Sequence, residues 1–177
     1  MIRLGEVADI VSGYNVGRGL VKEAPERKYS RSDFEHDFYR MKEASLTNPI
    51  IYQSVLETHN MVAAIISDDN KDRVISQAFS ILTIQTDKIH PWYLCYLLNE
   101  SEQVARQSNV LGQGSNLIQR LSAHQMKQIE IPLIPMKKQE TIGRLYVTAV
   151  YQYYLEITKA AMKRQGICNM LHHQEQG

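Results

Sequence analysis

Cysteine is nearly missing from this chain: Cys95 and Cys168 are its only two, far apart and without a C-x-x-C pair. Neither a disulfide framework nor a zinc site is suggested, and free thiols suit a reducing cytosol. Long apolar runs are missing too. No segment approaches the ~18 apolar residues of a membrane span, and Met1-Ile-Arg-Leu-Gly-Glu carries an early charge and no apolar stretch of signal-peptide length. The expectation is a soluble cytoplasmic protein with no membrane partner.

An excess of one charge is the third absence. The 20 Lys and Arg against 19 Asp and Glu leave a formal +1, which gives no support to a strongly basic nucleic-acid binder. Any DNA contact must then come from locally arranged cations. The densest run is Arg18, Lys22, Arg27, Lys28, Arg31, Arg40 and Lys42, but Glu23, Glu26, Asp33, Glu35 and Asp37 are interleaved, so it reads as a solvated mixed-charge face. Internal repeats and low-complexity tracts are absent, which removes solenoids. What remains is a chain of 177 residues, 44% hydrophobic, long enough to bury a core in one globular body with an appendage.

The patterning predicts an α+β fold. Leu4 to Ala8 reads as a helical turn, and Asp9-Ile-Val-Ser-Gly13 as a short strand ending at a glycine turn. Ile50 to Val55, Met61 to Ile66 and Val74 to Gln85 are rich in β-branched and aromatic residues, the mark of a strand-rich centre. His90-Pro-Trp-Tyr-Leu-Cys-Tyr places proline at a first helical position, and Trp92, Tyr96, Leu97 and Val104 extend an apolar stripe over about four turns. Ser122-Ala-His-Gln125 fits a capping box. Ile129 to Ile134 reads as a short edge strand that cannot donate at Pro132.

Beyond Pro135 the period changes to one near 3.6 residues. Ile142, Tyr146, Ala149, Tyr153, Ile157, Ala160, Ile167 and Leu171 form a stripe interrupted by Arg164. A helix of ~35 residues at 1.5 Å each reaches on the order of 50 Å, longer than a body of this size can cover. Part of it should project and seek a partner helix, with Ala149, Ala160 and Ala161 allowing close approach and Gly166 weakening or ending the regular part. The alternative is that the stripe packs back on its own body. The boundaries are a body of residues 1–134 and a helix with its tail at 135–177.

Catalytic chemistry finds little footing. Gly112-Gln-Gly114 starts like a dinucleotide fingerprint, but Leu117 stands where the third glycine belongs. Asn48-Pro-Ile-Ile lacks the second proline and the aromatic ring of an adenine-methyltransferase motif. Asp33-Phe-Glu-His-Asp37 groups three carboxylates and a histidine, which a metal-dependent nuclease could use but a solvated surface explains better. His172-His173 reads as a frayed tail. No catalytic residue, metal ligand or cofactor is therefore assigned. The polar loop around Gly112 and Gly114 offers recognition instead: Gln113, Ser115, Asn116, Gln119 and Arg120 suit base edges or phosphates, and the glycines admit close backbone approach. A solvent-exposed hairpin turn is the bland alternative.

Three stretches, in order, resemble the specificity subunits of type I restriction-modification systems. Leu4-Gly-Glu-Val-Ala-Asp-Ile-Val-Ser-Gly13 is similar to that family's opening L-G-D/E-V/I-A-x-I-x-S/T-G, and Pro91-Trp-Tyr-Leu-Cys-Tyr-Leu-Leu-Asn-Glu to its P-x-Y-L-x-x-x-L-N-S. Gly114-Ser115, Leu121-Ser122 and Ile129-Glu-Ile-Pro-Leu-Ile-Pro-Met-Lys-Lys-Gln139-Glu-Thr-Ile142 follow in family order. The chain departs from the pattern at Glu57 to Ile66, which lacks a Gly-Asp pair. The resemblance implies a strand-rich target recognition domain with short helices, followed by one long helix that pairs with another. It implies a non-catalytic, sequence-specific reader of double-stranded DNA that positions a methyltransferase (modification) subunit and, through the complex, a restriction subunit. Tyr14, Asn15 and Arg18, after the first glycine turn, join Gln113, Ser115, Asn116, Gln119 and Arg120 as candidate DNA contacts. With one domain and one helix the chain looks like a half-subunit, whose homodimer through Ile142, Tyr146, Ala149, Tyr153, Ile157, Ala160 and Ile167, as a coiled coil, would face an interrupted palindrome. The competing expectation is an interaction module, a regulator or decoy, that docks restriction-modification subunits through its C-terminal helix without reading DNA.

Overall fold

A computed structural model describes residues 1–14, 28–56, 62–115 and 118–175. Its centre is a four-stranded antiparallel sheet in the order β2-β6-β3-β5, made of Ala8–Ser12 (β2), Ile50–Gln53 (β3), Ala63–Ile65 (β5) and Phe79–Ile84 (β6). β2 alternates buried Ala8 and Ile10 with exposed Asp9 and Val11, as a strand with one face on the core must. The three residues of β5 are all buried. Pairing of Ile10 with Leu82 and of Ile50 with both Leu82 and Ile65 runs one apolar row across the sheet, and this row fixes the register.

Two smaller sheets flank this one. Ile2–Arg3 (β1) pairs with Glu130–Ile131 (β9), and Val55–Leu56 (β4) joins Gln113–Ser115 (β7) and Ile118–Arg120 (β8) in the order β4-β8-β7. A turn of 3-10 helix at Leu4–Glu6 fills the place of the predicted helical turn. The edges of two strands are closed by side-chain amides that imitate a neighbouring strand. Asn99 Oδ1 accepts from the Ala63 amide at 2.8 Å while its Nδ2 donates to Ala63 O at 2.9 Å. Gln107 does the same for Glu130, with both bonds 2.8 Å long. Each amide satisfies a donor and an acceptor that would otherwise invite another strand.

The predicted helix of four turns is two helices, Pro91–Glu100 (α2) and Glu102–Leu111 (α3). Ser101 has extended ψ of 113° and its hydroxyl caps α3 through the Val104 amide, so the apolar stripe crosses a corner. α2 begins as its sequence demands: Pro91 opens it and the His90 ring caps it, accepting from the Trp92 amide at 3.3 Å. Burial holds the His90 pKa below its ordinary value, which keeps that ring nitrogen an acceptor. The short helix Ala123–Met126 (α4) follows the expected capping box of Ser122 and Gln125.

Residues read as a solvated charged face form a helix, Arg31–Tyr39 (α1), capped by Ser30 and Asp33. One of the carboxylates is not solvated. Asp37 is buried and accepts from the Tyr29 hydroxyl at 2.8 Å and Asn70 Nδ2 at 2.9 Å. Desolvation and the Asp37 charge push the Tyr29 phenol far above its ordinary pKa, so it remains a donor at all ordinary pH. This network ties the re-entering chain at Tyr29 to α1 and to the turn at Asn70.

The long helix is Met136–Glu175 (α5), and it passes through Gly166 without ending there. At 1.5 Å per residue its 40 residues reach about 60 Å. Its first half lies against α2. Gly143 is the point of closest approach: a Cβ there would stand 2.6 Å from both Trp92 Cβ and Tyr93 N. Tyr146 meets Tyr96 edge to face at 5.8 Å between ring centroids, and Tyr154 stacks on Tyr39 of α1 at 5.3 Å. Farther along, Leu155, Met162, Ile167, Met170 and Leu171 are exposed. Among the described residues no helix is long and apolar enough to cross a membrane.

Candidate nucleic-acid interface

Gly13 ends β2 because nothing larger fits. A Cβ on it would lie 2.6 Å from the Ser76 carbonyl carbon and 2.7 Å from Ile75 O. The close approach allows Gly13 N to donate to Phe79 O at 3.0 Å and Tyr14 N to Ile75 O at 2.8 Å. Tyr14 forms a parallel bridge with Ser76, and its side chain is 65% exposed. The chain returns on the same platform, with Lys28 bridged to Val74 and Tyr29 N donating to Val74 O at 2.9 Å. The departure and return flanking residues 15–27 are thus anchored beside each other on residues 74–76.

The segment read as a polar loop has its ends in strands. Gln113 pairs with Arg120, Gly114 with Gln119 and Ser115 with Ile118, so the hairpin alternative describes the backbone here. β8 is covered on its other edge by β4, through Val55 with Arg120 and Leu56 with Gln119. That sheet grows from the end of β3 at Ser54. Ser54 N donates to Ala78 O at 2.8 Å, Ser54 O accepts from Leu121 N at 3.1 Å, and its hydroxyl lies 3.0 Å from that of Ser80.

Register then brings the pieces together. Ser12 pairs with Ser80, and Gln53 with Phe79. Gly13, Tyr14, Ser54 and the β4-β8-β7 sheet therefore share the Phe79 end of the central sheet. The Ile84 end leads the other way, to Ile89 and α2, where Gln139 of α5 is held. Of the predicted contacts, the structure brings Tyr14 to the same end of the sheet as the backbone of Gln113, Ser115, Gln119 and Arg120. Asn15, Arg18 and Asn116 lie outside the described residues, as does the departure from family pattern at 57–61. The sequence marks Val74 to Gln85 only as strand-rich, whereas the structure makes Val74, Ile75 and Ser76 the anchor of both Tyr14 and Tyr29.

The helix residues divide by surroundings. Tyr146 is buried and Ile142 half-buried against the chain's own body, whereas Ala149, Tyr153, Ile157, Ala160 and Ile167 are exposed. The Asp33 to Asp37 cluster is committed to capping and to the Tyr29 network. Among the described residues no group of three or more His, Cys, Asp or Glu side chains is placed to hold a metal ion. Cys95 is fully buried and its thiol pKa is pushed up by desolvation, the opposite of an activated nucleophile.

The anchors at Tyr14 and Lys28 and the β7-β8 hairpin thus lie at one end of an antiparallel sheet, and the start of α5 is held at the other. No protein-family model matches the sequence, and comparison with curated proteins finds no match. Solved structures do match. The HsdS subunit from Thermoanaerobacter tengcongensis superposes at a TM-score of 0.53 with 16% identity, over 96% of this chain and 46% of that one. The type I restriction-modification system S subunit from M. genitalium gives 0.57 with 16% identity, over 91% and 41%. A chain from a type I restriction-modification system described for its complex assembly and conformational transition gives 0.54 with 16% identity, over 93% and 42%. The α+β fold found here is the fold of type I specificity subunits, and the chain spans less than half the length of each of these three chains.

Proposed function

We propose that this chain is a sequence-specific DNA-recognition module of a type I restriction-modification system, acting in the cytoplasm without catalysis of its own. The observation that carries this reading is the convergence on one end of the central sheet. Tyr14, both anchors of residues 15–27 and the β7-β8 hairpin meet there, while α5 leaves from the opposite end. Loops on a rigid sheet are suited to base readout, because the scaffold fixes their register on the duplex. Tyr14, Asn15, Arg18, Gln113, Ser115, Asn116, Gln119 and Arg120 are the contacts this reading assigns. α5 supplies the assembly function: it pairs with a second copy and presents the pair to a methyltransferase subunit and, through it, to a restriction subunit. A two-fold pair of readers demands a two-fold target, an interrupted palindrome.

The test is selection of duplexes by the purified full chain from a randomised pool at two salt concentrations. The expected result is enrichment of a two-part inverted repeat. Arg120→Ala should weaken binding to that site by about 1–3 kcal/mol and relax preference at one base pair, if it makes a bidentate base contact. Failure to enrich any sequence would remove the reading. The formal charge of +1 favours one alternative, an interaction module that docks restriction-modification subunits through α5 and leaves DNA untouched, since phosphate neutralisation supplies most non-specific affinity. That alternative predicts subunit binding that is lost on truncation after Pro135 and indifferent to DNA.

A further inference from the structure

The turn that leads into β6 is fixed from both sides. On the β2 side, Gln77 N donates to Tyr14 O at 3.0 Å, and Phe79 O accepts from Gly13 N at 3.0 Å. On the β3 side, Ala78 O accepts from Ser54 N at 2.8 Å. Across the turn itself, Phe79 N donates to Ser76 O at 3.0 Å and the Ser76 hydroxyl accepts from the Ala78 amide at 3.4 Å. The backbone of residues 76–79 is therefore committed throughout, yet Gln77 and Ala78 are exposed. The side-chain amide of Gln77 hydrogen-bonds to none of the described residues. The amides of Asn99, Gln107 and Gln139, by contrast, are spent on the chain's own backbone. A rigid mount under an unpaired amide lowers the entropy lost when that amide meets a ligand.

We infer that Gln77 reads an adenine of the target duplex, its amide oxygen accepting from adenine N6 and its amide nitrogen donating to N7 in the major groove. Its place in the fold supports a base contact. The turn is the middle of the sheet end where the candidate contacts gather. On one side it is bonded to Tyr14, which is 65% exposed. On the other side Ser54 leads into the β4-β8-β7 sheet, where Val55 pairs with Arg120. Its chemistry points the same way. A neutral amide contributes nothing to the neutralisation of phosphates, which is the work of cations. What it offers is a donor beside an acceptor, the pattern that matches adenine and no other base in that groove. Gln85 supplies an internal comparison. It is exposed like Gln77 and its amide is equally unspent among the described residues, but it stands beyond Ile84, at the opposite end of the sheet.

The inference rests on the proposed reading of DNA, and its test separates the two. The full chain and its Gln77→Ala, Gln77→Glu and Gln85→Ala variants each select duplexes from one randomised pool, and the melting temperature of each protein is recorded. The unaltered chain should enrich a site containing an A·T pair at which Gln77→Ala loses a preference on the order of 10- to 100-fold, with the other positions kept. Gln77→Glu can only accept, so it should move the preference at that pair to cytosine through its N4 donor. A residue that merely shapes the turn has no means of exchanging one base for another. Gln85→Ala should select the original site, and all these proteins should melt alike, because neither amide is bonded within the chain. The original site selected by both Gln77 variants, or an even weakening across all sequences, would overturn the inference and leave the DNA-reading proposal standing. A new site selected by Gln85→Ala would put the reading surface at the other end of the sheet and also overturn it. Failure of the unaltered chain to enrich any sequence would sink the DNA-reading proposal, and this inference with it.

Discussion

Two glycines on one helix see opposite surroundings. A Cβ on Gly143 would meet the backbone of α2 at 2.6 Å, while a Cβ on Gly166 would meet nothing within 4 Å. The difference divides α5 into a docked half, whose sequence is dictated by the body, and a projecting half, whose sequence is free of it. What the body does not dictate must be explained by helix stability or by a partner. A glycine in the docked half is a packing requirement, and a glycine in the projecting half carries only the entropic cost of its backbone freedom.

The strongest way to break this division is Gly143→Ala. Alanine is the better helix former by about 1 kcal/mol, so propensity alone predicts stabilisation. The opposite sign is expected, because the obstructing atoms are the backbone nitrogen of Tyr93 and the carbonyl carbon and Cβ of Trp92, none of them the end of a flexible side chain. Overpacking of this kind costs about 1–3 kcal/mol, and the melting temperature of the full chain should fall accordingly. An unchanged or raised melting temperature would show that α5 is not held against α2 in this geometry.

Much of this arrangement is legible in the sequence where the signal is local. Pro91, the Ser122 and Gln125 box and the stripe from Ile142 to Leu171 announce their elements through short-range chemistry. Two of the misreadings involve distant partners. The Gly112 to Arg120 stretch looks like a loop because its strand geometry comes partly from Val55 and Leu56, far away in sequence. Asp37 looks solvated because Tyr29 and Asn70, which satisfy it, stand outside the local charge pattern. The corner at Ser101 had its own signal, a serine before Glu102, but an apolar stripe that ran across it suggested one helix. At the candidate interface, sequence order could not say that Tyr14 and the hairpin share one end of the sheet, since that follows from the register of β6 with both β2 and β3.

A smaller effect is expected at the anchor of the docked half. Gln139 is buried, its Oε1 accepting from the His90 amide at 2.8 Å and its Nε2 donating to Ile134 O at 2.7 Å. One side chain therefore joins the cap of α2 to the entry of α5. Gln139→Ala leaves a partly buried N–H and a partly buried C=O without these partners, and a loss of about 1–2 kcal/mol is expected. Hydrogen exchange separates this from a general loosening: the His90 amide should lose protection more than amides in β6. Equal loss throughout would show that the clamp is not local.

The smallest effect is predicted at Gly166, and its sign is what matters. With open space around its Cα, Gly166→Ala should gain up to about 1 kcal/mol of local helix stability. Position 166 lies away from the Tyr153, Ala160 and Ile167 stripe on α5, so pairing between copies should keep its affinity. The expected signature is slower hydrogen exchange around residues 160–172 and slightly greater helicity by circular dichroism, with the same dimer mass across a dilution series. A weakened dimer would place Gly166 inside a contact and turn the pairing face by about a third of the circumference of the helix. The contrast between the two alanine substitutions, one destabilising against propensity and one stabilising with it, would locate where the body stops determining the sequence of α5.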